Sequence, residues 1–591
     1  MTNDNVQNIE KSNSESNNQS HSEFFHHIAL ENAIKYEGKT NAKALVGKVL
    51  SVYPEFKSKM PELLAQLEIA VSVVNAMSLA DQQAELETLG ATQSTRITRD
   101  PDELKELDDA KAGNVVMRFA PSPSGPPHIG HAITGGLTSL YIKKYGGKFI
   151  LRIEDTNSDN IEPQAYTWLF EDLQWVFGNI HETVIQSDRM HLYYEYANKM
   201  LESGHLYVCE CSTEEFKKYV ADKKECPCRA HPPIKQLEKF ERMFDKESGK
   251  GYKEGEAVVR FKADMTHNNP AMRDFPLIRI NDSPHPRQGT KYRVWPLMNF
   301  SVFVDDVELG ITHNIRAKEH QDNAKRQEMM YAVLGKKAPI CYFTGRYNIE
   351  GLEISKTKTK ELIAKGEYSG WEDPRLAFIK PLKRRGYQPE AFLKYTRSVG
   401  LSPVDKTITM QDFFSLLDSF NKDVIDSIAN RFSLLHDPVE LKIEGLAAQR
   451  VMLDLHPKAR GSGGRPFDVG NSVLIEKEDV AQIADTTLVR LMDFCNIRRV
   501  GDSYRFVSDS YDDYKNEAGH KIIIHWLPAD PAQLTTVHIT MPDAHTLPAS
   551  AEKNIERVNV GEIVQFERFG FCRLDSIDEK SGTRKFWYGH R

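Results

Sequence analysis

The chain has 591 residues, 40% of them hydrophobic and 27% charged, with a net charge of -7; this exceeds what one hydrophobic core holds and implies several domains. No window offers the ~20 consecutive apolar residues of a membrane-spanning helix, and the polar N-terminus lacks the apolar stretch of a signal peptide, so a cytoplasmic chain with no membrane partner is expected. The mildly acidic total excludes an indiscriminate nucleic-acid coat but leaves room for local basic faces.

Residues 1 to 22, rich in Asn and Ser, are expected to be disordered. Residues 23 to 112 read as a small helical domain and its connector: Leu64, Leu67, Val71 and Val74 fall on one helical face, and Ala91 to Gly113 is polar. Between 113 and 345, runs such as NVVMRFAP, AITGGLTSLYIKKYGG, KFILRIED and PQAYTWLFEDLQWVFG alternate strand and helix, the pattern of parallel βαβ units; a segment at about 190 to 300 interrupts it. Residues 346 to 435 hold a lysine-rich loop followed by a helical domain. From 436 to 591, short β-rich runs (NSVLIEK, SYRFVS, KIIIHWLP, TTVHITMP) separated by turn signals predict an all-β module of barrel or sandwich type. The fold class is therefore multidomain α/β, with helical and β-rich modules around a doubly wound core.

The stretch RFAPSPSGPPHIGH, Arg118 to His131, lies between a predicted strand and a predicted helix. Ligands bind at such corners, where a helix N-terminus offers unpaired N–H groups to an anion. His128 and His131, three apart on the first turn, would present two imidazole donors to one anionic group. Such donors suit a triphosphate whose α-phosphorus is under attack, because charge grows on its equatorial oxygens. A second element, LEISKTKTKE, carries lysines at 356, 358 and 360, mobile point charges suited to a departing pyrophosphate.

Of the seven cysteines, four form C-x-C-x14-C-x-C through Cys209, Cys211, Cys226 and Cys228. These are soft ligands in close pairs, as tetrahedral zinc requires, and four protein ligands would leave no position for a substrate. Four unligated thiols are the alternative, and His231 could replace Cys228. The basic turn KPLKRRG, Lys380 to Gly386, reads equally as a contact with nucleic-acid phosphates or as a solvated charged turn. Arg568, Phe569, Trp587 and Tyr588 could stack on unpaired bases or belong to a β core.

RFAPSPSGPPHIGH resembles the HIGH signature of class I aminoacyl-tRNA synthetases in the form of the glutamyl and glutaminyl branch, and ISKTK resembles a degenerate version of their lysine-bearing signature, with Lys356 as its lysine. LRIEDTN, SDRMHLYYEYANKMLESGHLYVCEC, NFSVFVDDVELGITHNIRAKEH, SGWEDPRLAFIKPLKRRG and VQFERFGFCRLD resemble the same branch, and the β-rich C-terminal third resembles its archaeal and eukaryotic glutamyl members. The resemblance implies a Rossmann-type catalytic core with an acceptor-binding insertion at about 190 to 300, helical N-terminal and stem-contact domains, and a C-terminal antiparallel β-barrel for the anticodon. It implies ATP with Mg2+, a structural Zn2+ on the cysteines, and L-glutamate and tRNA(Glu) as partners, with activation requiring bound tRNA. His128, His131 and Lys356 would stabilise the phosphoryl transition state. Ser122 and Glu154 would hold the amino acid's amino group, Glu154 being otherwise an ordinary ion-pair partner of Arg152. A monomer is expected, its helical N-terminal domain docking another synthetase or a translation factor.

A side-chain carboxylate is best gripped by a guanidinium, whereas an amide offers donors that arginine cannot accept from. Arg118 and Arg316 are the candidates, and by resemblance the arginine of GITHNIR marks the glutamyl form. Two positions depart from the family pattern: Glu353 stands where many members carry the signature's first lysine, and Met298 where a substrate-facing tyrosine is common. The alternatives are a glutaminyl enzyme, a non-catalytic tRNA-binding scaffold, and another nucleotidyltransferase with an H-x-G-H corner.

Overall fold

The computed structural model describes residues 21–22, 24–34, 36, 38–53, 56, 58–92, 104–352 and 355–591. The disorder expected for residues 1–20, Glu353, and the connector between 93 and 103 lie outside the described residues, whereas His21 and Ser22 are helical. The chain divides into two compact units, residues 1–101 and 102–591.

The first unit is helical, with helices over residues 24–34, Ala42–Val52, Met60–Ala76 and Leu79–Thr92. Its core joins Phe25, Leu45, Val49, Leu63, Leu67 and Val74, with Leu64 and Val71 packed partly buried beside them. Asn41 caps the second helix by accepting the Ala44 N–H at 3.0 Å. Among the described residues no single helix is long and apolar enough to cross a membrane.

The second unit opens with β1 (Val116–Phe119), α1 (Ile129–Tyr145), β2 (Lys148–Ile153), α2 (Ala165–Phe177) and β3 (Glu182–Ile185), the three strands parallel. An antiparallel insertion follows, with β4 (Leu206–Cys209), β5 (Val258–Phe261), β6 (Pro276–Ile280) and β7 (Val294–Pro296). The chain returns through α3 (Met298–Glu308), β8 (His313–Ala317), α4 (Gln321–Val333) and β9 (Ile340–Thr344), with β8 and β9 parallel. Thr312, at the foot of β8, exchanges hydrogen bonds with Val116 of β1. The strand order is thus β3-β2-β1-β8-β9, and it reverses between β1 and β8. Such a reversal opens a crevice at the carboxyl ends of the two strands.

Beyond β9 come β10 (Tyr347–Glu350), α5 (Lys356–Ala364), α6 (Pro389–Val399), β11 (Lys406–Thr409) and α7 (Met410–Ile425). These helices share one apolar core with the sheet: Tyr395, Phe413 and Leu417 sit with Met117, Ile133 and Leu151. α6 lies so close on α1 that a Cβ at Gly136 would come within 2.7 Å of Thr396 Oγ1. The tail of the connector joins this unit, with Leu107 buried and its N–H donating to Tyr145 at 2.9 Å.

The C-terminal third is built of two seven-stranded sheets of mixed direction, one nested in the other. In the outer sheet the short runs Asn430–Phe432 and Leu434–Leu435 pair at opposite edges, with Ile563–Phe566 and Thr546–Glu552, so one stretch of chain closes the sheet into a barrel. The inner sheet, formed within 438–528, closes the same way through Lys521–Ile524 and Leu527–Pro528. Closure leaves no long unpaired edge. The sequence suggested a single β module beginning near 436; the edge runs are too short, and their partners too distant, for local pattern to reveal two.

Arg465 reaches from the hairpin of the inner module into the outer barrel, where it pairs with the fully buried Glu552 at 2.6 Å and also donates to Ser433 at 3.0 Å. Removing Glu552 would leave the buried Arg465 with only the longer pair to Glu567 at 3.6 Å. Glu552→Ala is therefore expected to cost about 3 to 5 kcal/mol in denaturant unfolding of the C-terminal third. A loss below about 1 kcal/mol would contradict it.

Candidate functional site

Pro121, Pro123, Pro126 and Pro127 stiffen the loop from β1 to α1, and His128 takes the N-cap of α1 in extended backbone (φ -116°, ψ 175°). Its Nδ1 accepts the Gly130 N–H at 3.1 Å, while His131 Nδ1 accepts the His128 N–H at 3.1 Å. With both Nδ1 atoms accepting, the ring proton of each histidine sits on Nε2. The ring centroids are 4.0 Å apart. Burial, and then the nearby Lys356 charge, pushes His128 down to about 3. Burial, His128 and Lys356 together hold His131 well below its ordinary value. Both rings are therefore neutral N–H donors at physiological pH.

The glycine between them is required by this capping. A Cβ at Gly130 would stand 2.9 Å from His128 Cε1, so Gly130→Ala must swing the ring off the cap. Loss of one aligned donor is expected to slow the chemical step by about 10²-fold. A rate within threefold of wild type would show that the ring does not need this position.

Lys356 begins α5, and its Nζ lies 3.4 Å from Ser124 Oγ in the same loop. Its stem rests over Gly125, where an added Cβ would lie 3.2 Å from Lys356 Cδ. Lys360, on the same helix, pairs with Glu162 at 2.9 Å across the cleft that Ser122, Ser124 and Lys356 line. The distant lysine thus packs on the loop that leads to the two histidines, near enough for its charge to act on both rings, although it lines a separate cleft. Burial lowers the Lys356 ammonium to about 8. The charged form prevails below that pH and is lost as pH rises through it. An activity that depends on this ammonium would fall about tenfold in kcat/KM per pH unit above this point. Lys356→Arg, whose charge persists, should move the fall to higher pH; an unchanged limb in that variant would assign it to another group.

At the strand reversal, Arg118 of β1, Arg152 of β2 and Arg316 of β8 converge on Asp306 of α3. Asp306 Oδ1 accepts from Arg152 at 2.5 Å and lies 3.4 Å from Arg118 Nε, while Oδ2 lies 3.4 Å from Arg316. All four side chains are buried. Burial alone would raise the Asp306 carboxyl, but Arg152, Arg118 and Arg316 outweigh it and hold the group below its usual range. The neighbouring Asp305 is bound by Arg189 at 2.7 Å, Tyr193 at 2.9 Å and Gln186 at 2.8 Å. Glu154 accepts from Arg152 at 3.0 Å, the ion pair that the sequence left as its alternative role, and also faces the cavity.

Arg118, His131, Glu154, Met298, Arg316 and His320 line one cavity. Four guanidiniums, Arg118, Arg152, Arg189 and Arg316, meet three carboxylates, Asp305, Asp306 and Glu154, so a bound carboxylate would balance the site. Ser122 lines the adjacent cleft with Lys356 instead, although the Glu154 N–H donates to Pro121 at 3.0 Å and ties the two loops together. Asp306 and the clamping role of Arg152 were not recognised in the sequence. The signal available was the acidic pair in an otherwise apolar run, VFVDDV.

In the insertion, the sulfurs of Cys209, Cys211, Cys226 and Cys228 all lie within 4.8 Å of one another. Cys209–Cys226 and Cys211–Cys228 are each separated by 3.9 Å. Four thiolates at ~2.3 Å from one zinc would be about 3.8 Å apart, so the set fits a tetrahedral ion. His231 is turned away, its Nδ1 3.0 Å from Lys239 Nζ.

In the turn Lys380–Gly386 both arginines are already engaged, Arg385 buried and Arg384 partly exposed. Arg384 pairs with Glu372 at 2.8 Å and with Asp575 of the outer barrel at 2.5 Å, and lies over Trp587 at 4.0 Å. Arg385 donates to the Gly589 carbonyl at 2.9 Å, and Arg568 pairs with Asp479 at 2.6 Å. These residues join the catalytic body to the barrels and the barrels to each other.

The family profile for tRNA synthetases class I (E and Q), catalytic domain, matches residues 114–427, and two profiles for the anti-codon binding domain of that family match 429–509 and 523–575. Glutamate--tRNA ligase of Methanothermobacter marburgensis is 38% identical over 564 residues, spanning 95% of this chain and 98% of the relative. Those of Methanocaldococcus jannaschii and Pyrococcus furiosus are 40% and 39% identical, over 93% of this chain and 97% and 96% of theirs.

Proposed function

The chain belongs to the class I tRNA synthetases of the glutamate and glutamine branch, and on that premise we propose that it attaches L-glutamate to the 3' end of tRNA(Glu), at the expense of ATP. The glutamate α-carboxylate attacks the α-phosphorus of ATP, which enters with Mg2+. An acyl–phosphate bond forms, the bond to the β-phosphate oxygen breaks, and pyrophosphate leaves with its electron pair. The terminal ribose hydroxyl of the tRNA then attacks the acyl carbon; its proton is lost and AMP departs.

The two neutral Nε2–H donors of His128 and His131 hydrogen-bond the phosphoryl oxygens as charge accumulates there, without an imidazolium that a product would have to shed. Lys356 offsets the charge on the departing pyrophosphate. Glu154 and Ser122 hold the amino group from the two sides of the joined loops. Arg118 and Arg316 grip the side-chain carboxylate, and glutamine is rejected because its amide donors find no acceptor between guanidiniums. One observation supports glutamate over glutamine above all: an excess guanidinium at this site, with the buried side chains of Arg118 and Arg316 lining the cavity. Pyrophosphate exchange, run with tRNA present, tests it. Exchange driven by glutamate and not glutamine is expected, and the reverse order would make the enzyme glutaminyl.

The insertion and the barrels carry the acceptor end and the anticodon in this reading. On the same reading the chain works as a cytoplasmic monomer, and its helical first unit docks another synthetase or a translation factor. Cys209, Cys211, Cys226 and Cys228 would hold one zinc as a structural clip. About one equivalent of zinc in the purified protein, and a lower melting temperature after chelation, are expected. Metal-free protein that melts at the same temperature would leave four plain thiols.

A further inference from the structure

We propose that His320 is a further substrate-binding residue, donating a hydrogen bond from Nε2 to the carboxylate side chain of the amino acid; this rests on the glutamate reading above. His320 closes the single turn Lys318–His320 that follows β8, and its partly buried ring lines the cavity with Arg118, Arg316 and Met298. It makes no side-chain cap to α4, so the ring is not occupied by the helix end.

The orientation of its proton follows from its neighbours. Asn323 Oδ1 accepts from Arg326 at 3.1 Å, and Arg326 is itself fixed by donating to the Ala271 carbonyl at 2.7 Å. The other end of the Asn323 amide, a donor only, therefore faces His320 Nδ1 at 3.1 Å. Nδ1 must accept, which leaves the neutral ring's proton on Nε2. Among the described residues Nε2 has no hydrogen-bond partner. The cavity thus gains a third side-chain donor beside two guanidiniums already shared with Asp306, on a wall where the Met298 side chain contributes none. Carboxylate oxygens can accept from all three, whereas the NH2 of a glutamine side chain could accept from none.

The test is pyrophosphate exchange with the full chain and tRNA, varying L-glutamate, L-glutamine and ATP in turn. Loss of a hydrogen bond to a charged group predicts that His320→Phe, which keeps the ring but not the donor, raises KM for glutamate about tenfold or more. KM for ATP should stay unchanged, the preference over glutamine should fall by a similar factor, and His320→Gln, which restores a donor, should recover most of it. Asn323→Leu, which frees the ring to turn, should raise KM for glutamate in the same direction and serves if His320→Phe does not fold. Unchanged glutamate KM in folded His320→Phe, or in Asn323→Leu where only that variant folds, would overturn the role of His320 while leaving the glutamate reading intact. Failure of the wild-type chain to use glutamate at all would instead overturn that reading, and this inference with it.

Discussion

His128→Asn is expected to slow adenylate formation by about 10²-fold while leaving the melting temperature of the protein where it is. The asparagine Oδ1 can occupy the place of His128 Nδ1 and keep the cap on the Gly130 N–H, since Asn is among the best N-cap residues. What it cannot reproduce is the Nε2–H on the far side of the ring. The substitution therefore separates the capping role from the donor role. His128→Ala removes both and should add about 1 kcal/mol of destabilisation to the same kinetic loss. A His128→Asn enzyme within twofold of wild type would reduce the histidine to a helix cap. With His128 and His131 acting on one phosphoryl group, as proposed, and the His131 ring bound to the His128 N–H, the double variant should lose far less than the product of the two single losses.

Arg316→Leu is expected to raise KM for glutamate by about 10²-fold and to bring the glutamate and glutamine preferences close together, because charge-assisted hydrogen bonds contribute roughly twice what neutral ones do. Asp306 retains Arg152 and Arg118, so the site should fold. Arg316→Lys keeps the charge but not the planar fork and should fall between. Asp306→Asn tests the clamp: with both guanidiniums present but unaligned, KM for glutamate should rise about tenfold with KM for ATP unmoved, the mark of misplacement at one end of the site. If Arg316→Leu binds glutamate normally, the carboxylate lies elsewhere and the charge excess serves another group.

The parts of the fold set by local pattern were legible. Alternating apolar strands and amphipathic helices announced the parallel sheet, and crowded prolines before His-Ile-Gly-His marked its ligand-binding corner. The site was legible where its residues lie within one motif. His128 and His131 could be named because they are three apart, but not their tautomers, which depend on hydrogen bonds that exist only once the helix has formed. The clamp at Asp306 was not legible, because its partners come from three strands and the nearest of them, Arg316, lies on the next one. For the same reason the basic turn at Lys380–Gly386 looked available to nucleic acid: its carboxylate partner Asp575 is 191 positions away from Arg384. Charge in a sequence shows what a side chain can hold, and only the fold shows whether it is already held.

The nesting of the two barrels sets an order of events during synthesis. The ribosome releases Asn430–Leu435 first, then every strand of the inner barrel, and only then the strands from Leu534 to Tyr588 that those six residues must meet. The inner barrel can complete itself on the nascent chain, while the outer one waits for nearly the last residue to emerge. A premature stop after the inner barrel would leave the closing run Asn430–Leu435 without its neighbours, and Arg384 without Asp575, loosening the catalytic body from a module that had itself folded correctly.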